Sequence, residues 1–171
     1  MITIQQATTK DADLIAGIAT RSFLESHGDS APAADIESFV SRNYDLEPIE
    51  KELNDPENIF HIIYYKDQPA GYSKIIFNKP HPLTGSAAVT KLERIYLLKE
   101  FYDLKLGLAL FEFIVSLSKQ EKQEGIWLFV WIKNERAVNF YKKNGFKVID
   151  HTEFKISATH SNPNYVMYLE Y

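Results

Sequence analysis

The run Ile126-Trp127-Leu128-Phe129-Val130-Trp131-Ile132 is nearly all apolar. A strand of this kind has no face to show to water, so it belongs in the middle of a sheet covered on both sides. The flanking segments supply the cover. From Lys105 to Gln123, Leu106, Leu110, Phe113, Ile114 and Leu117 form one stripe at helical spacing, and Gly125 suits the residue that ends the helix. Beyond the strand, Asn134 fits an N-cap for a short helix to Asn144, with Gly145 ending it. The strand before the first of these helices, Ala87 to Leu98, can then pair in parallel with Ile126 to Ile132 across a helical crossover. These constraints give a mixed α/β sheet flanked by helices.

The rest of the chain fits around that unit. Ile2 to Gln6 alternates as a short strand. A helix starts near Thr9 to Ala12 and carries Leu14, Ile15, Ile18, Ala19 and Phe23, until Gly28 to Pro32 breaks it. A second helix covers Asp35 to Asn43, and a third runs through Leu53 with Pro48 at its first position. Ile59 to Tyr65 and Ala70 to Phe77 read as a hairpin turning at Lys66 to Pro69. Phe146 to Ile149 and Tyr165 to Leu169 complete the strands, the last a candidate edge for pairing with a second copy in a homodimer. No repeat, linker or boundary interrupts residues 1–171, which read as one mostly antiparallel α/β domain.

Composition narrows the chemistry. The chain has no cysteine, which excludes disulfide scaffolds, Cys zinc sites, iron–sulfur clusters and cysteine nucleophiles. The five histidines show no metal-ligand spacing, so no metal is expected. No apolar run approaches the ~18 to 20 residues that span a bilayer, and Met1 to Gln6 lacks a secretory pattern. The expectation is a cytoplasmic protein with no membrane partner. A net charge of -4 argues against nucleic acid. The charge is unevenly placed: Glu25 to Glu57 carries net -8 and the remainder +4. That segment could attract a cationic ligand, or simply be a solvated helical face.

In a sheet of this type a ligand sits beyond the carboxyl ends of the parallel strands, here around Leu97 to Gly107 and Ile132 to Asn134. The free N–H groups of the helix opening Leu106-Gly107-Leu108-Ala109 can hold a phosphate, although close packing on the sheet explains Gly107 as well. Neither a dinucleotide fingerprint nor a P-loop is present. On the pattern alone, Asn134 reads more simply as a plain cap and Tyr141 as a core residue with its hydroxyl at the rim. Trp127 and Trp131 share a strand face as core or as a cleft wall. His27 could line an acceptor site, whereas His61 reads as structural.

The pattern Asn134-x-x-Ala137-x-x-Phe140-Tyr141-x-x-x-Gly145-Phe146 is similar to the second half of the acetyl-CoA site of GNAT superfamily N-acetyltransferases. Glu93-Arg94-Ile95-Tyr96-Leu97, Phe101 and the Gly107 helix resemble the preceding strand and pyrophosphate loop, and the element order fits over the full length. The string Glu93-Arg94-Ile95-Tyr96, with Ile126-Trp127-Leu128 and Phe140-Tyr141-Lys142-Lys143, resembles the bacterial spermidine/spermine N-acetyltransferase branch. The resemblance implies roles. Main-chain groups of Ile95, Tyr96 and Leu97 would pair with the pantetheine arm and polarise the acetyl carbonyl. Amides of Tyr102, Asp103, Lys105, Leu106, Gly107 and Leu108 would hold the pyrophosphate. Asn134 and Phe140 would contact the cofactor, and Tyr141 would protonate the leaving thiolate. The loop departs from the family pattern: Tyr102 replaces its Gln/Arg and Lys105 its first Gly. Lys105 could add a charge contact or crowd the phosphates.

What this implies is acetyl-CoA-dependent transfer to a primary amine. A free alkylamine has a pKa of ~10 and attacks only when neutral, so a base, an oxyanion donor and an acid are required. Glu93 is the candidate base, through water; its plain reading is a salt-bridged or exposed strand residue. A polyamine is the favoured acceptor, with an amino acid, an aminoglycoside or a protein N-terminus as alternatives. A module that binds acyl-CoA or a polyamine without turnover, or an interaction domain without cofactor, would be the non-enzymatic readings.

Overall fold

In a computed structural model describing all residues from Met1 to Tyr171, the expected period changes become seven strands and five α-helices. The strands are β1 (Ile2–Gln6), β2 (Ile59–Tyr65), β3 (Gln68–Ile76), β4 (Thr90–Leu97), β5 (Gly125–Trp131), β6 (Lys147–Lys155) and β7 (Ser161–Glu170). The helices are α1 (Ala12–His27), α2 (Ala33–Tyr44), α3 (Leu46–Asn54), α4 (Leu106–Gln120) and α5 (Glu135–Lys143). One sheet holds every strand in the order β1-β2-β3-β4-β5-β7-β6. Only β4 and β5 are parallel; all other neighbours run antiparallel.

The two faces are covered by different helices. Thr90 hydrogen-bonds Ser118 of α4 on one face. Arg94 pairs with Glu52 of α3 on the other, where His27 of α1 meets Tyr96. Ile126 and Leu128 of β5 are fully buried with Leu110 and Ile114 of α4, as their apolar run requires. No helix is long and apolar enough to cross a membrane.

Four local expectations change. Pro48 is the third residue of its helix, since α3 starts at Leu46 behind Asp45; the first-turn amides have no intrahelical acceptor, so proline is tolerated there too. Gly125 does not end α4. The helix stops at Gln120, Lys122 makes the left-handed turn (φ 57°), and Gly125 opens β5. There it is needed for closeness: a Cβ would lie 2.5 Å from the Tyr168 ring and 2.7 Å from the Leu169 carbonyl. The strand expected from Ala87 begins at Thr90. Finally, Tyr165 to Leu169 is no edge, because β7 lies between β5 and β6. The sheet's edges are β1 and β6, and β6 runs on to Lys155. Its outer half, Asp150-His151-Thr152-Glu153-Phe154-Lys155, is largely polar and exposed and gave no strand signal. Solvent-facing edge strands carry such residues to avoid pairing with other chains.

Candidate functional site

The parallel pair at the centre of the sheet is almost absent as a pair. β4 and β5 are in register only at Thr90↔Ile126 and Lys91↔Trp127. Beyond that they diverge, so Leu92–Leu97 and Leu128–Trp131 have no common ladder. The main chain of Ile95, Tyr96 and Leu97 is thus partnered by β3 on one side and by no strand on the other. Gly71 of β3 permits that arrangement, because a Cβ there would overlap the Tyr96 carbonyl oxygen. The bulge between the Lys74↔Arg94 and Ile75↔Leu92 pairs leaves Glu93 as the extra residue. A bulge of this kind re-aims side chains and opens a ladder next to a site.

At the end of the gap the chain passes through a 3-10 turn (Lys99–Phe101) into α4. The Tyr102 amide is already taken by the Lys99 carbonyl at 3.1 Å, so it is not available to a phosphate as the sequence reading had it. The next six amides, Asp103 to Leu108, have no hydrogen-bond partner, and the first helical bond is from the Ala109 amide to Lys105. Together with the helix dipole they form an anion cradle. Asp103 and Lys105 both have positive φ, 65° and 58°. Lys105 therefore adopts the left-handed conformation that a glycine would adopt, and its side chain is exposed. Gly107 leaves room: a Cβ there would meet only Leu97 Cδ1, at an ordinary 3.5 Å. Packing on the sheet does not require this glycine, and the space beside it suits a pyrophosphate.

Because the fold already gives Lys105 the glycine conformation, Lys105→Gly is expected to stabilise the protein by about 0.5–1 kcal/mol. The loss of one exposed ammonium should change the acetyl-CoA KM by less than about fivefold, the scale of an exposed ion pair. Thermal denaturation and steady-state kinetics check both numbers.

A contact not anticipated from sequence ties this loop to α5. The Arg136 guanidinium lies 3.7 Å over the Tyr102 ring and 3.6 Å from the Asp103 carboxylate. Arg136 is half-exposed and sits beside the free amides as a further cationic group. The only sequence signal for it was a basic residue in the first turn of the capped helix.

α5 brings the remaining candidates to the other wall. Asn134 caps it, its Oδ1 accepting from the Ala137 amide at 3.4 Å, which leaves its amide NH2 free. Phe140 packs edge-on against Phe111 of α4 and against Tyr141, at 5.8 and 5.6 Å. Tyr141 is buried, its ring against Phe146 at 5.3 Å. Its hydroxyl has no protein partner, and burial pushes its pKa up, so the phenol keeps its proton. Tyr96, from the opposite face, is also raised by burial, with the Tyr44 and Tyr141 phenols adding to it.

On the α1 to α3 face, Glu93 is one end of an ionic chain of four residues. Lys74 of β3, buried, reaches Glu52 at 3.0 Å and Glu93 at 3.3 Å. Glu52 also grips Arg94 through two 2.8 Å bonds. Burial alone would raise the Glu52 pKa, but the Arg94 guanidinium and Lys74 ammonium outweigh it and hold the carboxyl below its usual range. Glu93 is therefore ion-paired and still solvent-accessible. Of the acidic segment, Glu52 is occupied here, and Glu25 binds Arg21 and the Lys99 amide. Asp29, Glu37, Glu47, Glu50 and Glu57 are exposed without an ion pair.

The two tryptophans part company. Trp127 is buried, its Nε1 donating to the Lys79 carbonyl at 2.6 Å, whereas Trp131 reaches the gap and faces His27 at 5.5 Å. His61 is structural, buried edge-on against Phe113 at 5.0 Å. A groove of about 650 Å³ beside α1, lined by Asp13, Arg21, Leu24, Tyr44 and Asp45, takes in none of the strand-end residues. No cluster of three or more His, Asp or Glu side chains is placed to hold a metal.

Known proteins resemble this chain in sequence and in fold. The family model described as acetyltransferase (GNAT) family matches residues 19–146. An uncharacterised N-acetyltransferase in the pepI 3' region of Lactobacillus delbrueckii subsp. lactis is 28% identical over 144 residues, covering 84% of this chain and 83% of that one. An uncharacterised N-acetyltransferase of Mycobacterium tuberculosis is 29% identical over 160 residues, covering 94% and 97%. Among solved structures, the PaiA N-acetyltransferase of Thermoplasma acidophilum in complex with coenzyme A superimposes with a TM-score of 0.81 at 20% identity, covering 100% of this chain and 99% of that one.

Proposed function

The chain belongs to the acetyltransferase (GNAT) family, whose members use acetyl-CoA, and we propose that it transfers acetyl to a primary amine of a small molecule by direct attack. The observation that carries this reading is the gap between β4 and β5. One wall offers unpartnered main chain at Ile95–Leu97, and the other a neutral, unbonded Tyr141 phenol.

Acetyl-CoA supplies the thioester. Amides Asp103 to Leu108, with Arg136 beside them, hold the pyrophosphate. The Asn134 amide and Phe140 hold the arm, and the main chain of Ile95 to Leu97 aligns it along β4. Main-chain N–H groups there stabilise charge developing on the carbonyl oxygen. Glu93, through water, takes a proton from the acceptor amine. As the N–C bond forms and the C–S bond breaks, Tyr141 gives its proton to the departing sulfur. Because attack is direct, no covalent enzyme intermediate is needed, in keeping with the absence of cysteine.

The narrower reading makes the amine a polyamine. It is supported by the net -8 of Glu25 to Glu57 and by the carboxylates there that remain exposed without an ion pair. The test is thiol release from acetyl-CoA, with the product identified by mass. Spermidine and spermine would be run beside an amino acid, an aminoglycoside and a short peptide. Acetylated spermidine in clear preference supports the polyamine reading. Product from another amine keeps the chemistry and replaces the acceptor. Tight CoA binding without product from any amine favours a non-catalytic binding module.

A further inference from the structure

His27 is the last residue of α1, and its ring spans the mouth of the gap from the acceptor face. It stacks on Phe23 with centroids 4.9 Å apart and planes 4° from parallel. Tyr96 of β4 is 6.0 Å away on one side and Trp131 of β5 is 5.5 Å away on the other. No other aromatic residue of a helix pairs with rings on both diverging strand ends.

The hydrogen bonds around it favour one tautomer. Nδ1 lies 2.6 Å from the Ser26 hydroxyl oxygen. That oxygen also lies 2.9 Å from the Ser22 carbonyl and 3.4 Å from the Phe23 carbonyl. A hydroxyl has one proton to donate, and a carbonyl oxygen only accepts. Both short contacts are satisfied when Ser26 donates to Ser22, as helical serines do, and Nδ1–H donates to Ser26. Nε2 then carries the lone pair, and no protein group hydrogen-bonds to it. Burial lowers the His27 pKa to about 4, with no charged neighbour contributing, so the ring is neutral at pH 7.

We propose that His27 Nε2 accepts a hydrogen bond from an N–H of the acceptor amine between Tyr96 and Trp131, turning the amine's lone pair toward the thioester. The proposal rests on the amine acetyltransfer reading above. His27 would be a catalytic residue in the sense of touching the substrate. It does not take the proton, for which a neutral imidazole of such low basicity is poorly suited, and it leaves that step to Glu93. Its neutrality gives it a second use. A cationic side chain here would repel an incoming ammonium, and a carboxylate would hold the ammonium form and suppress attack. A neutral acceptor between aromatic walls does neither.

The test has two parts, both on the full chain. In kinetics, His27→Phe keeps the ring stack and removes the acceptor atom, and His27→Gln keeps an acceptor oxygen on a flexible side chain. The Phe variant is expected to lose about 10- to 100-fold in kcat/KM for the amine, the scale of one hydrogen bond to a charged or reacting group. The acetyl-CoA KM should stay unchanged, and the Gln variant should recover part of the loss. A Phe variant within twofold of wild type would reduce His27 to packing and overturn the proposal. The second part is long-range 1H–15N spectra of the imidazoles with CoA bound. At pH 7 they should show His27 with the proton on Nδ1, and its Nε2 signal should move when spermidine or another amine of the panel is added. A proton on Nε2, or an Nε2 signal indifferent to every amine, overturns the proposal. If wild type acetylates no amine, the function reading fails, and the spectra still decide the fate of His27 by whether Nε2 responds to amine.

Discussion

Tyr141→Phe is expected to lower kcat by about 100-fold or more, the usual scale for removing a general acid, while CoA affinity and thermal stability stay close to wild type. The separation follows from how the side chain is held. Its ring packs against Phe140 and Phe146, and phenylalanine reproduces those contacts. Its hydroxyl bonds no protein group, so removing it leaves no partner unsatisfied. What is lost is the proton that burial keeps on the phenol. Without it the sulfur must leave as a thiolate in a poorly solvated gap. The check is thiol release beside calorimetric titration with CoA. Unchanged turnover would remove Tyr141 as the acid, and turnover lost together with CoA binding would make it a binding residue.

Glu52→Ala should have the largest effect on stability, about 3–5 kcal/mol, the cost of breaking a buried ion pair from one side. Arg94 and Lys74 have side chains only 10% and 5% exposed, and Glu52 neutralises both. Its removal leaves two buried cations with Glu93 alone to balance them, and Lys74 becomes free to pair more closely with Glu93. Urea denaturation gives the first number; a loss below about 1 kcal/mol would mean the network is solvated and weak. The pH dependence has a definite sign. The folded Glu52 pKa lies below its ordinary 4.5, so the unfolded chain binds the proton first on acidification. The stabilisation is complete above about 4.5 and disappears as pH falls through the folded value. The alanine variant should lack that part of the acid sensitivity.

The parts of this molecule that were legible in the sequence are those whose side chains repeat with the backbone. The doubly buried β5, the amphipathic α4 and the Asn134-capped α5 each write their period into the residues. The Asn134 to Phe146 pattern carried the family as well, because its cap, small residue, aromatic pair and glycine stop belong to one short element. The outer half of β6 was hidden, since an exposed edge strand is polar on both faces. The loop was only half legible. Lys105 in place of glycine gave no sign that the backbone there would still turn left-handed. The ionic chain was invisible for a different reason: Glu52, Lys74 and Arg94 come from three elements, and only the fold brings them together. His27 was a candidate for the acceptor site from the sequence, but the rings it faces, Tyr96 of β4 and Trp131 of β5, come together only in the fold.

The short ladder between β4 and β5 has a mechanical side. The sheet is two plates, β1 to β4 and β5 to β7, hinged along a spine two residue pairs long. Thr90 and Ser118 brace the hinge from behind through α4. Opposite the spine, His27 of α1 lies near Tyr96 of one plate and Trp131 of the other. The hydrogen bonds that join the two plates are therefore confined to one end of the gap, and a molecule entering the other end would meet strand ends from both.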